Sequence, residues 1–311
     1  MHGTKAILKV NKEKNLKIMN KKILIIGASG QLGSDLIREL GTNFQIIRMN
    51  HQQLDVTSQK QCAEVILMHK PNVILNTAAF HKTEECEINP RKSFEVNAVG
   101  AYNVAAAAQK IKATVFYIST NYVFSGGKQV YFEYDQPSPI NVYGASKLSG
   151  EFLTQIGTER NYIIRTAGLF GRYPSSKGYN FITLMVRKAK QNKHIKVVND
   201  EYTSLTYTQD LASKINEFIY KLPPFGIYHI VNQGGPTWFE VATRAFELMN
   251  IKTTIKPIHS LQRNGMAKRP LHAVLGSRKL RAAGIQPLRK WGDALRDYIG
   301  ELRLHEQYEI S

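Results

Sequence analysis

Cysteine is scarce. Cys62 and Cys86 are the only two in a chain of 311 residues, which excludes a disulfide framework and suits a reducing cytoplasm. No unbroken apolar run reaches the ~18 residues of a membrane span, and residues 1–20 lack the apolar core and small-residue cleavage site of a secretory signal. No membrane partner is therefore expected. Acidic residues are also in deficit, 24 against 42 Lys and Arg, for a formal net charge of +18. Such a surplus fits either a binder of nucleic acid or anionic membrane, or an enzyme whose ligands carry phosphates. The basic residues are scattered, and helix-turn-helix, zinc-finger and aromatic–glycine RNA motifs are missing. The phosphate-ligand reading is preferred, with no nucleic-acid partner. Internal repeats and low-complexity linkers are missing as well.

What the chain does have is length for one large or two fused domains, with an apolar fraction of 43%. Residues 1–20, with Lys5, Lys9, Lys12, Lys14 and Lys17, read as a disordered basic tail or a start-site artefact ahead of Met19; a basic anchoring arm ranks lower. From Ile23 onward, short β-branched runs alternate with amphipathic stretches, which predicts an α/β fold with a doubly wound parallel sheet of the Rossmann type. Residues 21–168 would form the dinucleotide-binding domain. Residues 169–311 would form mainly a smaller α/β substrate lobe, part of which returns to the sheet.

The first strand candidate, Ile23–Ile26, runs directly into Gly27-Ala28-Ser29-Gly30-Gln31-Leu32-Gly33 and then a helical pattern. Gly27 permits a tight turn, Gly30 lets a pyrophosphate approach a helix N-terminus, and Gly33 allows close helix–strand packing. Ser29, Gln31 and Leu32 complete this cofactor loop. The second strand ends Arg48-Met49-Asn50, without the carboxylate that would hold the ribose hydroxyls of NAD. Arg48 would instead meet a 2′-phosphate, which favours NADP over NAD; a solvated surface arginine is the competing reading. Asp55 lies near the adenine or caps the next helix. Asn76, Ala78 and Ala79 close the third strand, at the sheet edge where ligands bind. His81, Glu84, Glu85 and Glu87 read as a solvated helix start rather than a metal cluster. Asn97, inside a predicted helix from Pro90 to Gln109, is either solvent-facing or orients a backbone group or water near the site.

The fourth strand ends in Ser119-Thr120-Asn121-Tyr122-Val123-Phe124, where a hydroxyl that hydrogen-bonds a substrate oxygen belongs. The block Asn141-Val142-Tyr143-Gly144-Ala145-Ser146-Lys147-Leu148-Ser149-Gly150-Glu151 sets Tyr143 and Lys147 on one helical face. A phenol of pKa ~10 is a poor acid at neutral pH, and an adjacent ammonium would lower that value and fit Tyr143 for proton transfer. Beyond residue 168, helices are expected near 180–192, 208–220, 237–249 and 290–303, with strands near 195–198 and 227–231.

These pieces, with Asn76-Thr77-Ala78-Ala79, Gly226-Ile227-Tyr228-His229, Thr237-Trp238-Phe239-Glu240 and Arg269-Pro270 ahead of Lys279-Leu280, resemble the extended short-chain dehydrogenase/reductases over about Lys22 to Ile299. Within that group the chain is similar to the dTDP-4-dehydrorhamnose reductase family. The resemblance implies an NADPH-dependent reductase of a nucleotide-linked 4-keto-6-deoxy sugar, with NADH allowed. Tyr143 would be the proton donor, Lys147 would lower its pKa and hold the nicotinamide ribose, and Thr120 would hydrogen-bond the same substrate oxygen. Asn97 and Ser119 would belong to the cofactor side, and Asn121, Gly168 and Arg269 to the substrate side. Some relatives pair as dimers with a magnesium ion; a homodimer is thus allowed, while no residue set here requires the metal. Asn121 stands where the family has Asp, and Gly168 where it has a Trp that lines the sugar pocket, so the substrate side is expected to be remodelled. Glu84-Glu85-Cys86-Glu87 replaces the family's Val-Asp-x-x-Glu. Two alternatives remain: an epimerase or dehydratase that recycles its nicotinamide, and a non-catalytic cofactor-binding regulatory subunit.

Overall fold

The computed structural model describes residues 21–175, 178–191 and 194–308; the basic tail expected at 1–20 lies outside them. The elements that position the site are β1 (Lys22–Ile26), α1 (Gln31–Leu40), β2 (Gln45–Met49), α2 (Gln59–His69), β3 (Val73–Asn76), α3 (Thr83–Ile88), α4 (Pro90–Phe94), α5 (Gly100–Lys110), β4 (Thr114–Thr120), α6 (Val142–Gly157), β5 (Asn161–Thr166), α7 (Phe181–Lys190), α8 (Thr208–Lys221), β6 (Gly226–His229), α9 (Trp238–Met249) and α10 (Trp291–Tyr308). The six strands form one parallel sheet in the order β6-β5-β4-β3-β1-β2.

The apolar runs follow from burial on both faces. Ile23, Ile25, Leu75, Phe116 and Ile164 face Leu36 and Leu40 of α1 and Leu211 and Ile215 of α8. Leu24, Ile26, Ile74 and Val115 face Cys62 and Ile66 of α2 and Val104 and Ala108 of α5. A two-faced core leaves no room for polar alternation. The predicted helix from Pro90 is continuous but not uniform, because Glu95–Val99 forms a π-helical turn between α4 and α5.

From β1, one strand in from the sheet's edge, the chain winds outward to β2, then crosses β1 to β3 and winds the other way. The reversal lies between β1 and β3, the position at which open parallel sheets take ligands in a crevice at the strands' carboxyl ends.

The smaller lobe is built from short parallel pairings: Leu169–Phe170 with Thr206–Tyr207, Ile195–Val198 with Ile255–Ile258, and His272–Leu275 between Val130–Tyr131 and Tyr202–Thr203. The lobe and the sheet exchange segments of chain. Val130–Tyr131 reaches forward into the lobe, while α8 packs on α1 and β6 pairs with β5. Most of these strands span two residues, too short to leave a periodic signature in the sequence. Among the described residues, no helix is long and apolar enough to cross a membrane.

Candidate active site

The glycine loop closes the crevice from the β1 side. Gly27 has φ +79, and a Cβ there would meet Thr77 Oγ1 at 2.6 Å. Thr77 in turn donates to the Ile26 carbonyl at 2.7 Å, so the ends of β1 and β3 are bonded across the crevice. The N-cap of α1 is Gly30, which brings no capping side chain to the first-turn N–H groups. A bare helix start, approached by a loop without Cβ atoms, fits a dinucleotide pyrophosphate. Ser29 is exposed at this mouth. The other predicted loop residues offer main chain rather than side chains. Leu32 is buried in the core with Leu36, and Gln31 reaches from α1 to the Gly171 carbonyl at 3.4 Å. Arg48 stands exposed next to the end of the edge strand, a place open to a 2′-phosphate. Asp55 does not cap α2; Ser58 does, accepting from the Gln61 N–H. Asp55 instead accepts from the N–H and hydroxyl of Thr57 at 3.0 and 2.8 Å. Asn76 is buried and accepts from the Ala78 N–H at 3.2 Å, which shapes the Ala78–Ala79 edge.

Asn97 is fully buried, not solvent-facing. Its amide brackets Phe80, accepting from the N–H at 2.9 Å and donating to the carbonyl at 2.8 Å, and it donates to Ser146 Oγ at 2.9 Å. It thereby staples the loop after β3 to α6. The π-helical turn puts the Asn97 carbonyl under the Tyr117 hydroxyl, which donates to it at 2.7 Å.

Helix α6 starts at Asn141, whose side chain accepts from the Gly144 N–H at 2.7 Å. Glu87 of α3 accepts from the Val142 N–H at 2.8 Å. Two of the helix's first donors are thus satisfied, and Tyr143 is held in the first turn. Its phenol meets the Thr120 side chain at the end of β4. Burial is the largest influence on this phenol and pushes its pKa up, with Thr120 pulling it partly back. The expected lowering by Lys147 is therefore overturned: desolvation wins, and the phenol stays protonated at neutral pH. Lys147 lies with its Nζ 3.9 Å from the Tyr117 ring centroid. Burial pushes its ammonium down to about 7, while Glu151 opposes that shift. Ser119, predicted on the cofactor side, turns its hydroxyl instead to Glu151 Oε1 at 2.5 Å.

The substrate side departs most from expectation. Asn121 is buried, and its Nδ2 donates to Thr203 Oγ1 at 3.0 Å and to the Ala273 carbonyl at 2.8 Å. It is a tie between β4 and the lobe rather than a group turned to a sugar. A carboxylate cannot donate to a carbonyl, so Asn121→Asp is expected to lower the urea midpoint, at a cost of about 1–3 kcal/mol for the orphaned acceptor. Gly168 does not leave a hole where a Trp would be. Its φ is +50, and a Cβ would lie 2.8 Å from both Leu205 Cδ2 and the Ser204 carbonyl. The lobe already fills that direction, so Gly168→Trp is expected to lower the thermal midpoint rather than add a pocket wall. The strain and overpacking should cost at least about 1–3 kcal/mol.

Arg269 pairs with Glu84 at 3.3 Å. Glu84 also accepts from the N–H groups of Met266 and Ala267 at 2.8 and 3.1 Å, and Asn141 donates to the Lys268 carbonyl at 2.8 Å. Together these contacts pin the 266–269 loop to α3 and to the N-cap of α6. Arg263, paired with Glu201, joins this cationic edge; the sequence reading missed it because the pairing is between residues remote in the chain. Glu84 and Glu87 are thus committed to main-chain donors. Among the described residues, no group of three or more His, Cys, Asp or Glu is placed to hold a metal ion.

A family model described as the RmlD substrate binding domain matches residues 21–304. The spore coat polysaccharide biosynthesis protein SpsK of Bacillus subtilis is 36% identical over 282 residues, 90% of this chain and 97% of that protein. The dTDP-4-dehydrorhamnose reductase of Streptomyces griseus is 33% identical over 280 residues, 88% and 91% of the two chains. The structure of dTDP-4-dehydrorhamnose reductase from Bacillus anthracis in complex with NADP is similar with a TM-score of 0.87 at 35% identity, covering 91% of this chain and 99% of that one. Likeness of this extent, running through the glycine loop, the tyrosine helix and the lobe alike, shows that the chain belongs to the RmlD substrate binding domain family, that of the dTDP-4-dehydrorhamnose reductases.

Proposed function

We propose that the protein is an NADPH-dependent reductase of a nucleotide-linked 4-keto-6-deoxy sugar, of the dTDP-4-dehydrorhamnose type, serving polysaccharide biosynthesis. The observation that carries this reading is the meeting of Tyr143 with Thr120 at the end of β4, with Lys147 buried one helical turn further along α6. The reduced nicotinamide, when bound, supplies the hydride. Tyr143, kept protonated by burial, gives its proton to the ketone oxygen. Thr120 holds that oxygen in line, and the Lys147 ammonium stabilises the phenolate that proton loss creates. Arg263 and Arg269 line the side where a nucleotide diphosphate would extend. Arg48, in place of a carboxylate at the end of β2, favours NADPH, with NADH the weaker donor.

The test is an assay of nicotinamide oxidation with dTDP-4-dehydrorhamnose and related nucleotide keto sugars, run with NADPH and with NADH. Stoichiometric NADPH consumption with one of these sugars supports the reading. Conversion without net consumption identifies an epimerase or dehydratase. Absence of any oxidation or conversion across the panel points to a regulatory subunit.

A further inference from the structure

Tyr143, Lys147 and Glu151 follow one another at four-residue intervals along α6 and so share a face. Glu151 is 1% exposed, and so is Arg165 at the far end of β5. Arg165 grips the carboxylate in bidentate fashion, Nε to Oε1 at 2.9 Å and Nη2 to Oε2 at 2.7 Å. Ser119 adds its hydroxyl to Oε1, and the guanidinium lies 5.1 Å from the Phe124 ring centroid.

A fully buried ion pair is a poor device for stability, because apolar groups of the same volume serve as well or better. Its position suggests another use. It lies one helical turn beyond Lys147, and Ser119, which touches it, adjoins Thr120. The other ionisable groups around α6 are neutral or engaged elsewhere. Tyr117 and Tyr143 are protonated phenols held there by burial. Cys86 is a buried thiol on α3, and Glu87 accepts from the Val142 N–H. On the adjoining helix, Arg91 pairs with Glu95 at the surface, and Lys92 lies over Phe80.

We infer that Glu151, clamped by Ser119 and Arg165, is a positioning residue whose negative charge keeps the buried Lys147 an ammonium. The inference rests on the reductase reading for its consequence in turnover. Burial brings Lys147 down to about 7, and the Glu151 carboxylate opposes that shift. Turnover that needs the ammonium falls as pH rises through that value. Removing the carboxylate moves this alkaline limb to lower pH. Removing Arg165 leaves the carboxylate charge less compensated and moves the limb to higher pH.

The experiment compares wild type, Glu151→Gln and Arg165→Met by the pH dependence of kcat for NADPH oxidation. In parallel, the Lys147 Cε signal is titrated by 13C NMR in lysine-labelled protein, assigned with Lys147→Met. The expected result is opposite displacements of at least about half a pH unit in both readouts, with NADPH binding retained. A purely structural pair would lower activity in both variants without displacing either titration in opposite senses, and limbs that coincide or move the same way overturn the inference. If a single variant does not fold, Glu151→Gln/Arg165→Met removes both charges. Its Lys147 titration is expected below that of wild type, and an unchanged midpoint overturns the inference. Absence of turnover in wild type would sink the reductase reading alone, since the NMR titration needs no substrate.

Discussion

Tyr143→Phe is expected to bind NADPH as wild type does and to lose turnover by roughly 10²–10⁴-fold, the range lost with a general acid. The change removes one oxygen atom. The ring remains, and with it the edge-to-face contact to Tyr122 at 6.1 Å between centroids. Asn141 and Glu87 still hold the first turn of α6. What disappears is the proton source beside Thr120. Because hydride arrival at a ketone builds charge on its oxygen, loss of the donor falls on kcat more than on substrate binding. Stopped-flow turnover alongside fluorescence titration of NADPH measures the two effects separately. Near-normal turnover in this variant would remove Tyr143 from the chemistry.

Gly33→Ala is expected to weaken NADPH binding by at least roughly 10²-fold and to lower the thermal midpoint. The added methyl would press well inside contact with the Gly27 carbonyl oxygen and sit 3.0 Å from Ala28 Cα. Both neighbours are main chain, so no rotamer change relieves the clash. The Gly27 and Ala28 N–H groups are meanwhile bonded to the Met49 carbonyl at 2.9 and 3.1 Å, which resists a shift of the loop. The first turn of α1 must therefore move off the end of β1, and the anion cradle opens. Overpacking of this kind costs about 1–3 kcal/mol in stability; the larger effect is on affinity, because the displaced atoms are those that would face the pyrophosphate. Calorimetric titration with NADPH and a thermal melt test both parts. Unaltered affinity would show that the loop does not hold the cofactor through its main chain.

The contrast between these positions and the substrate side shows where sequence reading works. The glycine loop and the tyrosine helix are local: their spacing alone places the groups, and both lie where expected. Asn121 and Gly168 invited a reading from what they replace. Their actual partners, Ala273 and Ser204 to Leu205, are remote in the chain, and no spacing rule reaches them. Arg165 and Glu151 were overlooked for a related reason. Each sits in a run with an ordinary explanation, a strand end and a helix face, and only their meeting makes a buried ion pair. A signal was present nonetheless, since a charged residue ending a run as apolar as Tyr162-Ile163-Ile164 asks for a partner.

By itself the sequence determined the order of strands and helices, the glycine loop and the helix that carries Tyr143 and Lys147 one turn apart. These follow from periods of 2 and 3.6 residues and from the conformational freedom of glycine, all of which act over a few neighbours. The tertiary structure decided the protonation balance of that pair, the closing of the space beside Gly168, and the commitment of Asn121, Glu84 and Glu151. Those outcomes depend on which groups are excluded from water together, and desolvation is a property of the packed assembly rather than of any segment.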